Sequence, residues 1–104
     1  MLIASTDDTD PTFKNITGAI CKGTTQKDWD DEFDSQFNLE NFDNCVNFCN
    51  TKDICKGFTF DPKSTKRVCF WKADSPIKSK TNSYLQKSGQ SCVVKGIIES
   101  RSTS

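Results

Sequence analysis

This sequence predicts a small α+β domain held together by disulfides. Three observations predict it: six cysteines in 104 residues, a thin apolar content weighted toward aromatics, and one stretch of helical period followed by runs of strand period. The length suits one domain and is short for two. Only 34% of residues are hydrophobic and 27% are charged, so the core is thin. Small domains short of core lean on covalent staples or a metal. Eight Phe, two Trp and one Tyr carry much of the available burial, because each ring removes a large area from water.

Taken in order, residues 1–12 are small and acidic and contain Pro11, which reads as a flexible leader. Met1-Leu2-Ile3-Ala4-Ser5 is apolar for four residues only and is not itself a signal peptide. Asn15-Ile16-Thr17 is an N-glycosylation sequon, making Asn15 a glycosylation candidate. Ala19-Ile20-Cys21 reads as an opening strand. Asp28, Asp30, Asp31, Glu32 and Asp34 read as a solvated acidic loop carrying Trp29.

The clearest helix spans about residues 40–51. Phe42, Cys45, Val46 and Cys49 fall at i, i+3, i+4 and i+7, one helical face. Asn38 or Asn41 can cap it, and with Asn38 as cap Phe37 and Phe42 would form a hydrophobic staple. Lys56-Gly57-Phe58-Thr59-Phe60 alternates as a strand, residues 61–65 are turn material, and Arg67-Val68-Cys69-Phe70-Trp71-Lys72 returns. Residues 73–82 form a loop around Pro76. Ser83-Tyr84-Leu85-Gln86 and Cys92-Val93-Val94-Lys95 are further strand candidates separated by Gly89. A loose tail, residues 99–104, closes the chain.

Charge and residue types narrow the function. Lys+Arg and Asp+Glu both number 14, with acid concentrated in residues 7–43 and base in residues 52–87. Zero net charge disfavours nucleic acid as a partner. No stretch approaches a membrane span, so membrane insertion is not expected. The sequence has no histidine, which removes every Cys–His or Ser–His catalytic pair. The acidic run lacks the ordered ligands and central Gly of a calcium loop. No cofactor, metal or catalytic residue is expected.

The even count of Cys21, Cys45, Cys49, Cys55, Cys69 and Cys92 reads as a disulfide framework with fifteen possible pairings. Zinc would want two close ligand pairs, and only Cys45 and Cys49 are near one another in that sense. A disulfide framework in turn implies an oxidising compartment: secreted, extracellular or within a secretory organelle.

Cys45-x3-Cys49-x5-Cys55-Lys56-Gly57-Phe58, then Cys69-Phe70-Trp71-Lys72, then Tyr84-x3-Ser88-Gly89, resembles the PAN/apple family over about residues 19–95. The resemblance implies a curled antiparallel sheet of about five strands packed on one α-helix, placed in a single domain at residues 13–98. It also implies the pairs Cys45–Cys69 and Cys49–Cys55, with Cys21–Cys92 as the apple-type outer bridge. Members bind proteins or carbohydrates and are not enzymes. The acidic, Trp29-bearing insert between Cys21 and the helix departs from the family pattern.

The resulting expectation is a binding or adhesion module for a glycan or protein ligand on a cell surface or matrix. The alternative is a structural module mediating domain–domain or homo-oligomer contacts in a larger surface protein, with tandem copies possible. For a sugar, Trp71 with Lys72 and Asp74, or Tyr84, could supply a ring beside hydrogen-bonding groups, unless Trp71 and Tyr84 are core residues. Trp29, flanked by Asp28, Asp30 and Asp31, is the other aromatic candidate.

Overall fold

A computed structural model describes residues 13–74 and 76–96. The expected leader at 1–12 and tail at 99–104 lie outside the described residues.

Among the described residues six strands and three helices follow one another: β1 (Phe13–Thr17), β2 (Ala19–Cys21), α1 (Trp29–Gln36), α2 (Phe42–Thr51), β3 (Gly57–Phe60), β4 (Cys69–Lys72), β5 (Ser79–Thr81), α3 (Ser83–Ser88) and β6 (Ser91–Lys95). The main sheet runs β1-β6-β3-β4 and a smaller sheet pairs β2 with β5. Every pairing is antiparallel. The α+β disulfide-rich class stands as the sequence indicates, with the strands divided between two sheets.

Alternation along β6 sorts the molecule into layers. Val93 joins one apolar cluster with Phe58, Trp71, Phe48, Phe33 and Trp29, so α1 and α2 cover that face of the main sheet. Cys92 and Val94 point the other way, into a second cluster with Ala19, Cys21 and Ile77. The β2–β5 ribbon therefore covers the opposite face, and the Cys21 amide donates to Thr59 Oγ1 at 2.8 Å to fix it there.

The bridges are Cys21–Cys92, Cys45–Cys69 and Cys49–Cys55, the three pairs that the resemblance implies. Cys45–Cys69 ties α2 to β4, Cys49–Cys55 closes the chain behind α2, and Cys21–Cys92 staples the ribbon to β6. Gly57, which opens β3, has φ 155°, and a Cβ there would sit 2.5 Å from the Val93 carbonyl oxygen. Only glycine lets β3 and β6 approach at that point.

Four elements differ from the sequence expectation: β1 precedes the strand on which the sequence reading opens, Ser79–Thr81 of the expected 73–82 loop pairs with β2 as β5, and two further segments change type. The acidic run is not a loop but helix α1, with Trp29 and Phe33 buried at i and i+4 and Asp30, Asp31 and Glu32 in its first turn. Acids there suit the positive end of the helix dipole. Ser83–Gln86 is not a strand but part of α3. Asn82 caps it by accepting from the Leu85 amide at 2.9 Å, and Gly89 ends it at φ 79°.

Helix α2 begins at Phe42 with Asn41 as cap, its Oδ1 accepting from the Asn44 amide at 2.8 Å. The Asn38 staple does not form: Phe37 stacks on Phe33 at 4.9 Å, and Phe42 meets Phe60 edge-on at 5.2 Å. Residues Cys45, Phe48 and Cys49 are buried, whereas Phe42 and Val46 are half-buried. At 100° per residue, the buried arc is rotated roughly 50° from the face the sequence pattern indicates, toward Phe48. That rotation opens a surface groove.

Candidate functional site

Trp71 is fully buried, its indole Nε1–H donating to the Cys45 carbonyl at 3.3 Å and its ring packed on Phe48 at 4.8 Å and Phe33 at 5.2 Å. It belongs to the core and offers no face to a ligand. Trp29 corrects the same way: it is 6% exposed, edge-on to Phe48 at 6.3 Å, with the Lys52 ammonium 5.3 Å from its ring centroid. Lys72 is 6% exposed and turned inward, Nζ donating to Gly23 O and Thr25 Oγ1, both at 2.8 Å. Burial lowers its pKa from the ordinary 10.5, against a smaller opposing pull from Asp74.

Asp74 is exposed and lies against Gly23 in a small cleft with Lys22, Pro76 and Lys78. Tyr84, 72% exposed on α3, is the member of the sequence-derived set whose ring is open to solvent. The five residues do not form one site.

The acids of α1 face cations from neighbouring elements. Arg67 donates through Nη1 to Asp34 at 3.0 Å, and its Nε and Nη2 make ion-pair contacts with Glu40 at 3.3 Å and Asp30 at 3.5 Å. Its guanidinium lies 5.8 Å from the Phe33 ring centroid. Lys52 pairs with Glu32 at 2.6 Å. Burial raises the Asp30 pKa, and the Arg67 charge opposes that shift. This surface is an ion-pair network joining α1 to the turn before β4.

The larger concavity lies between α2 and the outer strand pair β1–β6. It has a volume of about 540 Å³ and is lined by Phe13, Asn15, Phe42, Asp43, Val46, Asn47 and Val93. Its floor is apolar: Phe13, Phe42 and Val46 are half-buried and Val93 is fully buried. Its rim is polar. Asp43 and Asn47 are exposed at i and i+4 of α2, and Asn15 is exposed on β1 across from them. Rings with a carboxylate and two amides around them can take a ligand that has apolar faces and hydroxyl edges.

Sequence reasoning missed Asp43 and Asn47, which lie off the apolar face of the helix, and Phe13, which precedes the Ala19-Ile20-Cys21 strand. No apolar–polar alternation marks Phe13-Lys14-Asn15-Ile16-Thr17, whose apolar residues are three apart, so β1 gave no strand-period signal.

A family profile described as PAN domain matches residues 12–95. No curated protein and no solved structure matches the chain.

Proposed function

The chain belongs to the PAN domain family, and we propose that it is a secreted, non-catalytic recognition module whose α2–β1 groove binds a carbohydrate. PAN domains are protein- and carbohydrate-binding modules, generally non-catalytic and typically extracellular. No helix among the described residues is long and apolar enough to cross a membrane.

The observation that carries the reading is the groove's make-up. Phe42 provides ring surface for the C–H face of a sugar, while the Asp43 carboxylate and Asn47 amide beside it on α2 provide acceptors and donors for its hydroxyls. An open groove of this kind supports weak monovalent affinity, and repetition in a parent chain would supply avidity. Of the α1 acids, Asp30 and Asp34 are engaged by Arg67 and Glu32 by Lys52, so binding is expected to need no metal.

The test is a glycan array with the folded chain made without its own glycosylation, followed by titration of a hit. Asp43→Ala and Asn47→Ala should each weaken binding about tenfold, near 1.4 kcal/mol, with little change in stability. Chelator should leave binding intact and reduction should abolish it with the fold. Binding that ignores both variants but is lost in Tyr84→Ala would move the site to α3.

A further inference from the structure

We propose that Asn15 carries an N-linked glycan whose first N-acetylglucosamine packs on the Phe13 ring at the β1 edge of the groove and leaves the α2 side, Phe42, Asp43 and Asn47, open. This goes beyond the ligand reading, and it stands on the folded position of the only Asn-x-Ser/Thr sequon in the sequence.

Asn15 and Thr17 are both exposed on β1. Residues two apart on a strand share a face, so Phe13 and Asn15 project together, and both line the groove. Across the strand pair Asn15 lies opposite Val93, which contributes the groove floor. A sugar on the Asn15 amide therefore starts at the groove's edge with a half-buried aromatic ring beside it. The apolar face of the sugar can cover the part of Phe13 that water now touches.

The strand's place in the sheet points the same way. β1 is an outer strand of the β1-β6-β3-β4 order, and among the described residues no strand pairs with its other edge. An open edge is a template for unwanted pairing, and natural proteins block such edges. A bulky, hydrated glycan on Asn15 would do so. At the opposite edge, beyond β4, Thr25 bridges to Lys72 and the Gln26 amide donates to the Trp71 carbonyl, so that side is already covered.

The modifying reactant is a lipid-diphosphate-linked oligosaccharide. The Asn15 Nδ2 forms a bond to C1 of the first sugar as the C1–O bond to the lipid diphosphate breaks. The lipid diphosphate leaves with the bonding electron pair, and the amide loses one proton to the surrounding base. Three disulfides require passage through an oxidising compartment, where such donors are used.

The experiment expresses the full chain through a eukaryotic secretory host that makes high-mannose glycans. Intact-mass measurement should show one glycan, absent in Thr17→Ala. Trimming to a single N-acetylglucosamine with an endoglycosidase should keep the thermal midpoint of the glycosylated chain. Thr17→Ala, which has no sugar, should melt lower by about 4 °C or more. In Phe13→Ala, glycosylated and sugar-free forms should melt together; Phe13→Leu serves if the alanine variant fails to fold.

A secreted chain without the glycan overturns the proposal. So does a glycan whose stabilising effect is nil, or is unchanged when the Phe13 ring is removed. If the sugar-free chain binds nothing on the array, the ligand reading falls alone, because mass and melting decide this inference.

Discussion

Replacing Phe48 with Ala should cost more than replacing Phe42 with Ala, and the difference measures the rotation of α2. Phe48 is fully buried and touches Trp71 at 4.8 Å, Phe33 at 5.6 Å and Trp29 at 6.3 Å between ring centroids. Removing it leaves a cavity walled by three aromatic rings, so the loss should fall in the usual range of about 3–5 kcal/mol. Phe42 is half-buried and borders the groove, so water enters the space its ring vacates and no sealed cavity forms. Its loss, mainly of contact with Phe58 and Phe60, should be about 1–2 kcal/mol. Urea denaturation of both variants with the bridges intact would read the two values directly. A Phe42→Ala loss equal to or larger than that of Phe48→Ala would refute the rotated packing and return α2 to the face its sequence pattern indicates.

Two further outcomes follow from the bridges and the buried amines. Loop-closure entropy ranks the staples: Cys21–Cys92, 71 residues apart, should contribute about 4 kcal/mol, and Cys49–Cys55, 6 apart, about 2 kcal/mol. Paired Cys→Ser variants melted side by side would reverse that order if local strain rather than loop length governs. Burial lowers the pKa of Lys72, and of Lys95, below the ordinary 10.5. Between the folded value and 10.5 the unfolded chain binds more protons, so stability should rise with pH through that window. The wild-type stability minus that of Lys72→Met should grow as pH climbs toward 10.5, and a difference independent of pH would show that Lys72 is not desolvated.

Cysteine spacing and the Gly57-Phe58 step made the framework legible in the sequence, because both express hard constraints. Bridges fix which elements meet, and the Val93 carbonyl leaves no space for a Cβ at Gly57. Helix α1 was hidden because only Trp29 and Phe33 are buried on it, and its acids resemble a loop until Arg67 and Lys52 are in place. Helix α3 has six residues, too few for a period to show, although Asn82 and Gly89 punctuate it. The inward turn of Lys72 depends on Gly23 and Thr25, nearly fifty residues away in sequence. The groove is least legible of all. It exists because β1 pairs with β6, from Phe13 opposite Lys95 to Thr17 opposite Ser91, and no local pattern records that closure.

The open groove and the sulfur framework belong to one design. Cys45 and Cys49 bond toward β4 and the turn before β3, so α2 is drawn against the sheet on the side of Phe48 and Trp71. The opposite flank of the helix, Phe42, Asp43, Val46 and Asn47, faces β1, and no other element among the described residues covers it. Leaving two apolar side chains half-exposed forgoes about 1–3 kcal/mol of burial. Three bridges contribute about 2–4 kcal/mol each on the loop-entropy model, a sum comparable to the stability of an ordinary domain. A core of this size without sulfur would need that flank closed. With the staples the fold can keep apolar surface on display beside polar side chains, which is the condition a recognition surface requires.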